Sequence, residues 1–420
     1  MSAAWPRVQA RIDADRVVEL ARELIAVPSL SGDETAGQQV VAARMRDAGL
    51  RVDAWEFDVE ALQRNPWYSA EVERGVALGV IGALGGSAGP ALLFNGHIDV
   101  VPTGDPAGWT TPPFAPSVRD GRVFGRGACD MKGGLAAALH AMEAIADAGV
   151  QLAGTVALGS VIGEEDGGCG TLALLDHGVR ADGCIIMEPT QLSVVPAIAG
   201  ALSWRLRVRG QSAHGCLREE GVSALELFGP LHRAVLDLER RRNARASHEL
   251  FAWLDRPFAI CGGRISGGDW PSSEMDWLVW EGRYGVAPGE DLDAARQEFE
   301  DAVASAVADH PWLREHPPAV EWLGGQFYPG QTATDAAVVT TVLGAATELS
   351  GREPVVRGMP YGCDMGLTTN VGGIPTVVFG PGDVRDAHRP DESVPVDDLV
   401  AVAQTLALTA LRFCGAAEDA

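Results

Sequence analysis

The strongest constraint on the fold is an alternation of apolar strands and helices that is interrupted once, near residue 196. Buried-strand runs such as PALLFNGHIDVV and TVALGSVIG flank helical segments such as GGLAAALHAMEAIADAG, and this character resumes after about residue 330. Strands that alternate with helices are typical of a sheet covered by helices on both faces. The sequence therefore predicts an α/β domain built from residues 1–196 and 329–420.

Residues 197–328 follow another pattern, which predicts a second domain inserted into the first. The strand ALSWRLRVRG alternates apolar and polar residues, as a half-exposed strand does. A helix, two strand-like segments, another helix and a last strand around AVEWLGG follow it. This β-α-β-β-α-β order is typical of a small ferredoxin-like α+β domain.

Composition excludes several classes of partner. The formal net charge of −24 disfavours nucleic acid, because phosphate binding needs clusters of Lys and Arg. No apolar run approaches the roughly 20 residues of a membrane helix, and the N-terminus lacks the pattern of a secretory signal. The seven cysteines are scattered without a CxxC pair. We therefore expect reduced thiols, a cytoplasmic setting, and neither nucleic-acid nor membrane partners.

The stretch LLFNGHIDVVP places His97 and Asp99 two residues apart at the end of a buried strand. The strand period of two puts both on one side of the chain, at the carboxyl end where open α/β sheets bind ligands. A metal-binding His commonly has its other ring nitrogen held by a carboxylate or a carbonyl. The alternative is a loop His beside an unrelated Asp.

The stretch GRGACDMKGG places Asp130 between glycines just before a helix. A carboxylate in such a strand-to-helix loop can bridge two cations, and Lys132, the only lysine, could stabilise the loop. The alternatives are a helix-capping Asp with turn glycines, or a nucleotide-binding loop. The third Gly of GxGxxG is missing and no GKS or GKT follows, which disfavours a nucleotide.

Three further strand-end loops carry Glu or His. Glu164 and Glu165 follow an apolar strand in VIGEEDGGCGT, Glu188 ends CIIMEPT, and His388 lies in DVRDAHRPDE. Each alone could be a surface residue of an acidic or polar loop. Together the five loops offer two His and several carboxylates, a nitrogen and oxygen set that suits Zn²⁺, or Co²⁺ and Mn²⁺ as substitutes. One Glu that is not a ligand could act as a general base.

The motifs GHIDVVP, GRGACDMKGG, GEEDGG, MEPT and DAHRPDE resemble, in order and approximate spacing, a family of metallopeptidases and deacylases. That family contains acetylornithine deacetylase, succinyl-diaminopimelate desuccinylase, aminoacylase and a bacterial glutamate carboxypeptidase. The resemblance is closest to the deacetylase and desuccinylase branch. It implies a zinc-exopeptidase-like α/β catalytic domain with an inserted ferredoxin-like domain that serves as lid and dimerisation domain, and hence a homodimer.

The resemblance also implies a role for each matching residue of the catalytic domain. Asp130 would bridge two metal ions. His97 and Glu188 would complete one metal site, and Glu165 and His388 would complete the other. Glu164 would be the general base, and Asp99 would orient His97. In the inserted domain, His214 of SAHG would stabilise an oxyanion and Arg283 of WEGRYGV would bind a substrate carboxylate. A surface His and a strand-exposed Arg are the alternatives for these two.

The leading hypothesis is a two-metal hydrolase that cleaves the amide bond of an N-acyl amino acid or related amine. A dipeptidase, a carboxypeptidase or an N-carbamoyl hydrolase could use the same site. A non-catalytic relative is disfavoured, because all five expected ligands and Glu164 are present. An oxidoreductase would need a complete dinucleotide fingerprint, which is absent.

Overall fold

The computed structural model describes residues 4–308 and 310–416. The chain divides into two compact units. The first unit takes in the described residues of Met1–Ala197, Gly330–Gly358 and Cys363–Ala420. The second unit consists of the described residues of Ile198–Pro329 together with the short segment Met359–Gly362.

The described residues form strands and helices that are numbered here in chain order. The strands are β1 (Arg51–Glu56), β2 (Leu78–Gly85), β3 (Ala91–His97), β4 (Ser117–Arg119), β5 (Arg122–Phe124), β6 (Thr155–Val161), β7 (Gly183–Ile186), β8 (Val194–Ile198), β9 (Gly200–Arg209), β10 (Ile260–Gly267), β11 (Trp277–Val286), β12 (Ala319–Trp322), β13 (Gly330–Gln331), β14 (Val356–Met359), β15 (Thr376–Val378) and β16 (Ser393–Pro395). The helices are α1 (Trp5–Gln9), α2 (Ala14–Ala26), α3 (Thr35–Asp47), α4 (Val59–Leu62), α5 (Gly133–Asp147), α6 (Cys169–Asp176), α7 (Ala224–Arg245), α8 (Leu292–Val307), α9 (Pro311–Glu315), α10 (Ala337–Ser350), α11 (Met365–Asn370) and α12 (Val396–Phe413).

The first unit is built on a nine-stranded sheet of order β1-β2-β6-β3-β7-β15-β8-β13, with β14 paired to β8. β3 lies between β6 and β7 and is parallel to both, in a register that aligns His97 with Val161 and Asn95 with Ile186. β15 is parallel to β7. The carboxyl ends of β3, β6 and β7 therefore meet at one edge of the sheet.

Helices cover both faces of this sheet. Asn95 of β3 donates a hydrogen bond to Thr171 of α6, whereas the next residue, Gly96, faces Leu135 of α5. Successive residues of a strand point to opposite faces, so α5 and α6 lie on different sides. The α/β class predicted from the sequence is thus confirmed. A small three-stranded sheet of order β16-β5-β4, which the sequence pattern did not indicate, accompanies it.

The second unit has a four-stranded antiparallel sheet of order β10-β11-β9-β12. With α7 after β9 and α8 after β11, the chain follows the predicted ferredoxin-like β-α-β-β-α-β order. The core of this unit is aromatic: Trp204 packs edge-on against Trp280 with ring centroids 4.6 Å apart and also contacts Phe299. None of the helices in the described part of the chain combines the length and hydrophobicity of a membrane-spanning segment.

Candidate metal centre

His97 ends β3 with its side chain fully buried, at 0% exposure. Its Nδ1 donates a hydrogen bond of 2.9 Å to the main-chain carbonyl of Asp99. The other ring nitrogen, Nε2, faces three carboxylates: Asp130 Oδ1 at 3.2 Å, Glu188 Oε1 at 3.5 Å and Glu164 Oε2 at 3.9 Å. Carboxylate oxygens that gather in a buried space are unfavourable without protons or cations between them.

The carboxylate of Asp99 makes a different contact from the one expected. It lies 3.6 Å from His97 Nδ1, and its two oxygens accept hydrogen bonds from the main-chain N–H groups of Glu164 (3.2 Å) and Glu165 (3.1 Å). The neighbouring parallel strands β3 and β6 end side by side, which brings Asp99 against the turn that follows β6. Asp99 therefore contacts His97 through its carbonyl and the glutamate turn through its carboxylate.

His388 approaches the same carboxylates from the C-terminal part of the chain. Its Nε2 lies 3.2 Å from Asp130 Oδ2 and 3.1 Å from Glu165 Oε1. Its backbone is left-handed, with φ +59°, and its side chain is 51% exposed. The carboxylate of Asp130 thus lies between two imidazoles, with one oxygen near each.

The turn that carries Glu164 and Glu165 depends on glycine. Residues Glu164–Asp166 form one 3₁₀ turn between Gly163 (φ +64°) and Gly167 (φ +92°). A side chain rarely adopts such φ values, and a Cβ on Gly163 would lie 2.5 Å from Arg74 Nη2. Because the chain turns here, the adjacent side chains of Glu164 and Glu165 lie beside the imidazoles of His97 and His388 respectively.

We call the set His97, Asp130, Glu164, Glu165, Glu188 and His388 the candidate metal centre. Burial raises the pKa of Glu164, Glu165 and Glu188, which lie close to other carboxylates. Hydrogen bonds with Asp130 and Glu165 raise the pKa of His388 to about 11. The pKa of Asp130 is lowered, since the two histidines outweigh the opposing effect of its burial.

The donor set fits divalent cations. Within the described residues, no Lys or Arg forms an ion pair with any of the four carboxylates. Glu188 Oε1 is buried and has no hydrogen-bond partner among the described residues. The ligand atoms of His97, Glu164 and Glu188 lie within 4.8 Å of one another, as do those of His97, Asp130 and Glu165. Imidazoles and carboxylates that converge in this way are typical ligands of catalytic zinc.

Lys132 anchors the loop of Asp130 to another element. Its buried Nζ donates to the main-chain carbonyls of Leu24 (3.0 Å) and Val27 (2.9 Å) at the end of α2. Burial lowers the pKa of this amine to about 7. The only lysine of the chain therefore holds main-chain carbonyls and makes no ion pair with the candidate metal centre among the described residues.

Two predicted site residues belong to the second unit. His214 is exposed, and its Nδ1 accepts a hydrogen bond of 3.2 Å from the main-chain N–H of Cys216. Arg283, on β11, is half-buried and donates from Nη2 to the carbonyl of Pro360 at 2.8 Å. Burial lowers the pKa of Arg283, and among the described residues this guanidinium has no ion pair.

The sequence pattern missed a buried group that supports the glutamate turn. The fully buried guanidinium of Arg74 binds Glu34 Oε1 at 3.0 Å and Asp166 Oδ2 at 3.1 Å. Asp166 also accepts hydrogen bonds from the main-chain N–H groups of Glu71 and Val72. Asp166 is visible in the motif GEEDGG, but Arg74 lies in a polar segment with no local signal for burial.

Comparisons with known proteins agree with this geometry. The profile of peptidase family M20/M25/M40 matches residues 93–412. An N-formyl-4-amino-5-aminomethyl-2-methylpyrimidine deformylase of Halalkalibacterium halodurans is 29% identical over 427 aligned positions, which cover 95% of each chain. A succinyl-diaminopimelate desuccinylase of Gluconacetobacter diazotrophicus is 30% identical over 417 positions, covering 94% of this chain and 96% of the relative.

A solved structure shows the same fold. Human carnosine dipeptidase 1 superposes with a TM-score of 0.77 at 17% identity, over 98% of this chain and 99% of the other. The family profile covers well over half of the chain, including all residues of the candidate metal centre. This chain therefore belongs to peptidase family M20/M25/M40 and is a metal-dependent amidohydrolase.

Proposed function

We propose that this chain is a two-metal hydrolase that cleaves the amide bond of an N-acyl amino acid or a related N-acylated amine. The observation that carries the proposal is the carboxylate of Asp130, which has one oxygen 3.2 Å from His97 Nε2 and the other 3.2 Å from His388 Nε2. Asp130 would bridge two ions, His97 and Glu188 would complete one site, and Glu165 and His388 would complete the other.

The expected metal is zinc, with cobalt or manganese as substitutes, because the site offers nitrogen and oxygen ligands and no thiolate. When bound, such a pair of ions polarises a carbonyl and makes water a better nucleophile. The chain contributes the spacing and orientation of the ligands. Strand ends of the sheet hold His97 and Glu188, whereas loops hold His388 and Glu165.

Glu164 would be the general base. Its nearest imidazole nitrogen, His97 Nε2, lies 3.9 Å away, farther than those of Glu188 (3.5 Å), Asp130 (3.2 Å) and Glu165 (3.1 Å). Burial raises its pKa, which makes this carboxylate a stronger base. Glu164 would accept a proton as water attacks the amide carbon. It would then deliver that proton to the nitrogen as the C–N bond breaks, releasing a carboxylate and an amine.

Two residues of the second unit would bind the substrate. The resemblance of SAHG supports His214 as a donor to the oxyanion, a role that needs an exposed imidazole. Arg283 has a main-chain carbonyl as partner and, among the described residues, no ion pair, which supports a role in binding a substrate carboxylate. The two relatives are a deformylase and a desuccinylase, which supports cleavage of the amide bond between a formyl or succinyl group and an amine nitrogen.

The second unit would also serve as lid and dimerisation domain, so that the chain works as a homodimer. We place the boundaries of this domain at residues 197 and 328. The seven cysteines are all free, which supports a cytoplasmic location. Light scattering after size exclusion tests the dimer. A monomer that retains full activity would exclude an obligatory partner subunit.

The reaction is tested by amine release from a panel of N-acetyl, N-succinyl, N-formyl and N-carbamoyl amino acids and dipeptides. Metal-stripped protein, protein with zinc or cobalt restored, and restored Glu164→Gln are compared. Release that depends on metal and Glu164 from one N-acyl class supports the proposal. Release from dipeptides or N-carbamoyl compounds alone identifies the alternative activity, and no release from protein that holds two metal ions contradicts the proposed substrate class.

A further inference from the structure

Glu392 is a fully buried carboxylate that the proposed reaction does not use, four residues after His388. Its Oε1 accepts hydrogen bonds from the main-chain N–H groups of Cys129 (2.9 Å) and Asp130 (3.1 Å). Its Oε2 lies 2.5 Å from Arg126 Nη1. One side chain therefore joins the loop that carries His388 to the loop that carries Asp130.

Arg126 neutralises this carboxylate within the protein interior. Only 2% of its side chain is exposed, its Nη2 donates to the carbonyl of Pro102 at 3.2 Å, and its guanidinium lies 5.2 Å from the ring centroid of Trp109. Burying a guanidinium and a carboxylate carries a desolvation cost that an apolar pair of similar volume avoids. Stability alone therefore gives little reason for an ion pair at this place.

The main chain around Glu392 is already held by other contacts. Residues Ser393–Pro395 pair with Arg122–Phe124 as adjacent strands, β16 and β5, and the carbonyl of Glu392 accepts from Gly125 N at 3.0 Å. The carboxylate adds a specific contact to the N–H of Asp130. That contact fixes the peptide from which the Asp130 side chain extends towards His97 and His388.

We propose that Glu392, with Arg126 as its counter-ion, is a positioning residue that sets where the Asp130 carboxylate lies relative to His97 and His388. Its effect on metal affinity would act through those ligands, since the Glu392 carboxylate contacts Arg126 and the main-chain N–H groups of Cys129 and Asp130. The inference rests on the proposed function. Partners in the outer shell of a metal site typically contribute 10–100-fold, roughly, to metal affinity.

Two double variants separate positioning from packing. Arg126→Met with Glu392→Gln removes both charges and retains a side-chain oxygen for the N–H groups of Cys129 and Asp130. Arg126→Met with Glu392→Leu has similar volume and no acceptor. The metal-stripped full chains are titrated with CoCl₂, and binding is followed by calorimetry and by the visible absorbance of bound Co²⁺.

We expect the Gln variant to bind two Co²⁺ ions with affinities within a few-fold of wild type. The Leu variant should bind at least one ion about 10–100-fold more weakly when both variants are titrated well below their melting temperatures, because the two N–H groups that lose their acceptor also lower its stability. Glu143→Gln is the matched control: Glu143 is paired with Arg16 at 2.6 Å in the same unit and contacts no residue of the candidate metal centre. Its Co²⁺ affinity should equal that of wild type.

Wild-type Co²⁺ affinity in the Leu variant would overturn the inference, as would an equal loss in both double variants together with lower melting temperatures. If the Leu variant does not fold, Glu392→Asp provides the test. It keeps the charge opposite Arg126 and withdraws the oxygens from the two N–H groups, so unchanged Co²⁺ affinity would again contradict positioning. Failure of wild type to bind Co²⁺ or to hydrolyse the panel would instead count against the proposed function.

Discussion

Two clusters of buried charge in the first unit differ in how their carboxylates are compensated. The candidate metal centre brings four carboxylates to two imidazoles, and burial raises the pKa of three of them. The second cluster, which we call the α2–α5 cluster, consists of Arg16, His140 and Glu143. There one carboxylate accepts hydrogen bonds from Arg16 Nη2 (2.6 Å) and His140 Nδ1 (3.0 Å). These partners outweigh burial and lower the pKa of Glu143 to about 2.

The difference indicates what each cluster is for. A carboxylate with enough positive neighbours stabilises the folded state directly, because its charged form is favoured there. Carboxylates that outnumber their positive neighbours cost stability until a cation arrives. The α2–α5 cluster therefore joins two helices. The candidate metal centre instead has an excess of negative charge, which favours binding of a cation.

The largest expected effect comes from the residue that we propose as base. Glu164→Gln should lower kcat by about 10²–10⁴-fold, because Gln cannot take up the proton of the attacking water. Both metal ions should remain bound, since the other five residues of the centre are unchanged. Steady-state kinetics and metal analysis on the same sample check this. Loss of a metal ion from Glu164→Gln would show that Glu164 is a metal ligand, like Glu165 and Glu188, and not only a general base.

A residue outside both clusters gives the next largest effect. His214→Ala should lower kcat by about 10²–10³-fold, which corresponds to the ~2.7–4 kcal/mol that an oxyanion donor contributes. His214 is exposed, and its Nδ1 accepts a hydrogen bond from the main-chain N–H of Cys216, so metal affinity and melting temperature should be those of wild type. Unchanged kcat would show that His214 is a surface residue.

Local sequence patterns suffice for the strands and for the side chains at their ends. The apolar run before His97 and the one before Glu164 each predict a buried strand, and parallel neighbours bring their ends together. The α/β fold and the ferredoxin-like insertion follow from such periodicities. The roles assigned to the individual site residues stay predictions, although the structure brings six of them together.

Contacts between distant parts of the chain had no local signal. Arg74 and Arg126 are buried although arginine is usually exposed, because their carboxylate partners come from elsewhere in the sequence. The Asp99 carboxylate binds N–H groups 65 and 66 residues away rather than the nearby imidazole. The left-handed backbone of His388 could not be predicted from the sequence either, because the residue at this position is not a glycine.

Metal binding should separate the two clusters by their effect on thermal stability. At 100 times the dissociation constant, a ligand of the folded state adds about 2.7 kcal/mol to the free energy of unfolding. Glu188→Gln should lose most of the increment that zinc produces. Its metal-free form should melt no lower than metal-free wild type, because the buried Oε1 of Glu188 has no hydrogen-bond partner among the described residues.

Calorimetry with chelator and with zinc in excess gives both melting temperatures. A metal-free Glu188→Gln protein that melts several degrees below wild type would show that Glu188 stabilises the fold without metal. The comparison with the α2–α5 cluster would then be wrong at this residue. Glu143→Gln should show the reverse pattern, with the full zinc increment and a slightly lower metal-free melting temperature.

The smallest effect is the pH dependence of the α2–α5 cluster. The pKa of Glu143 in the folded protein is about 2, below its usual value of about 4.5, so its stabilising effect is present above pH 4.5 and lost as pH falls towards 2. The side chain is 14% exposed and Arg16 is 29% exposed, so solvent screening keeps the contribution below about 1 kcal/mol. Urea unfolding of metal-free wild type and Glu143→Gln should therefore differ most near pH 6 and converge as the solution is acidified. If the difference in free energy of unfolding does not change with pH, Glu143 acts through packing. The charge of Glu143 would then not stabilise the α2–α5 cluster, and the comparison of the two clusters would be wrong on that point.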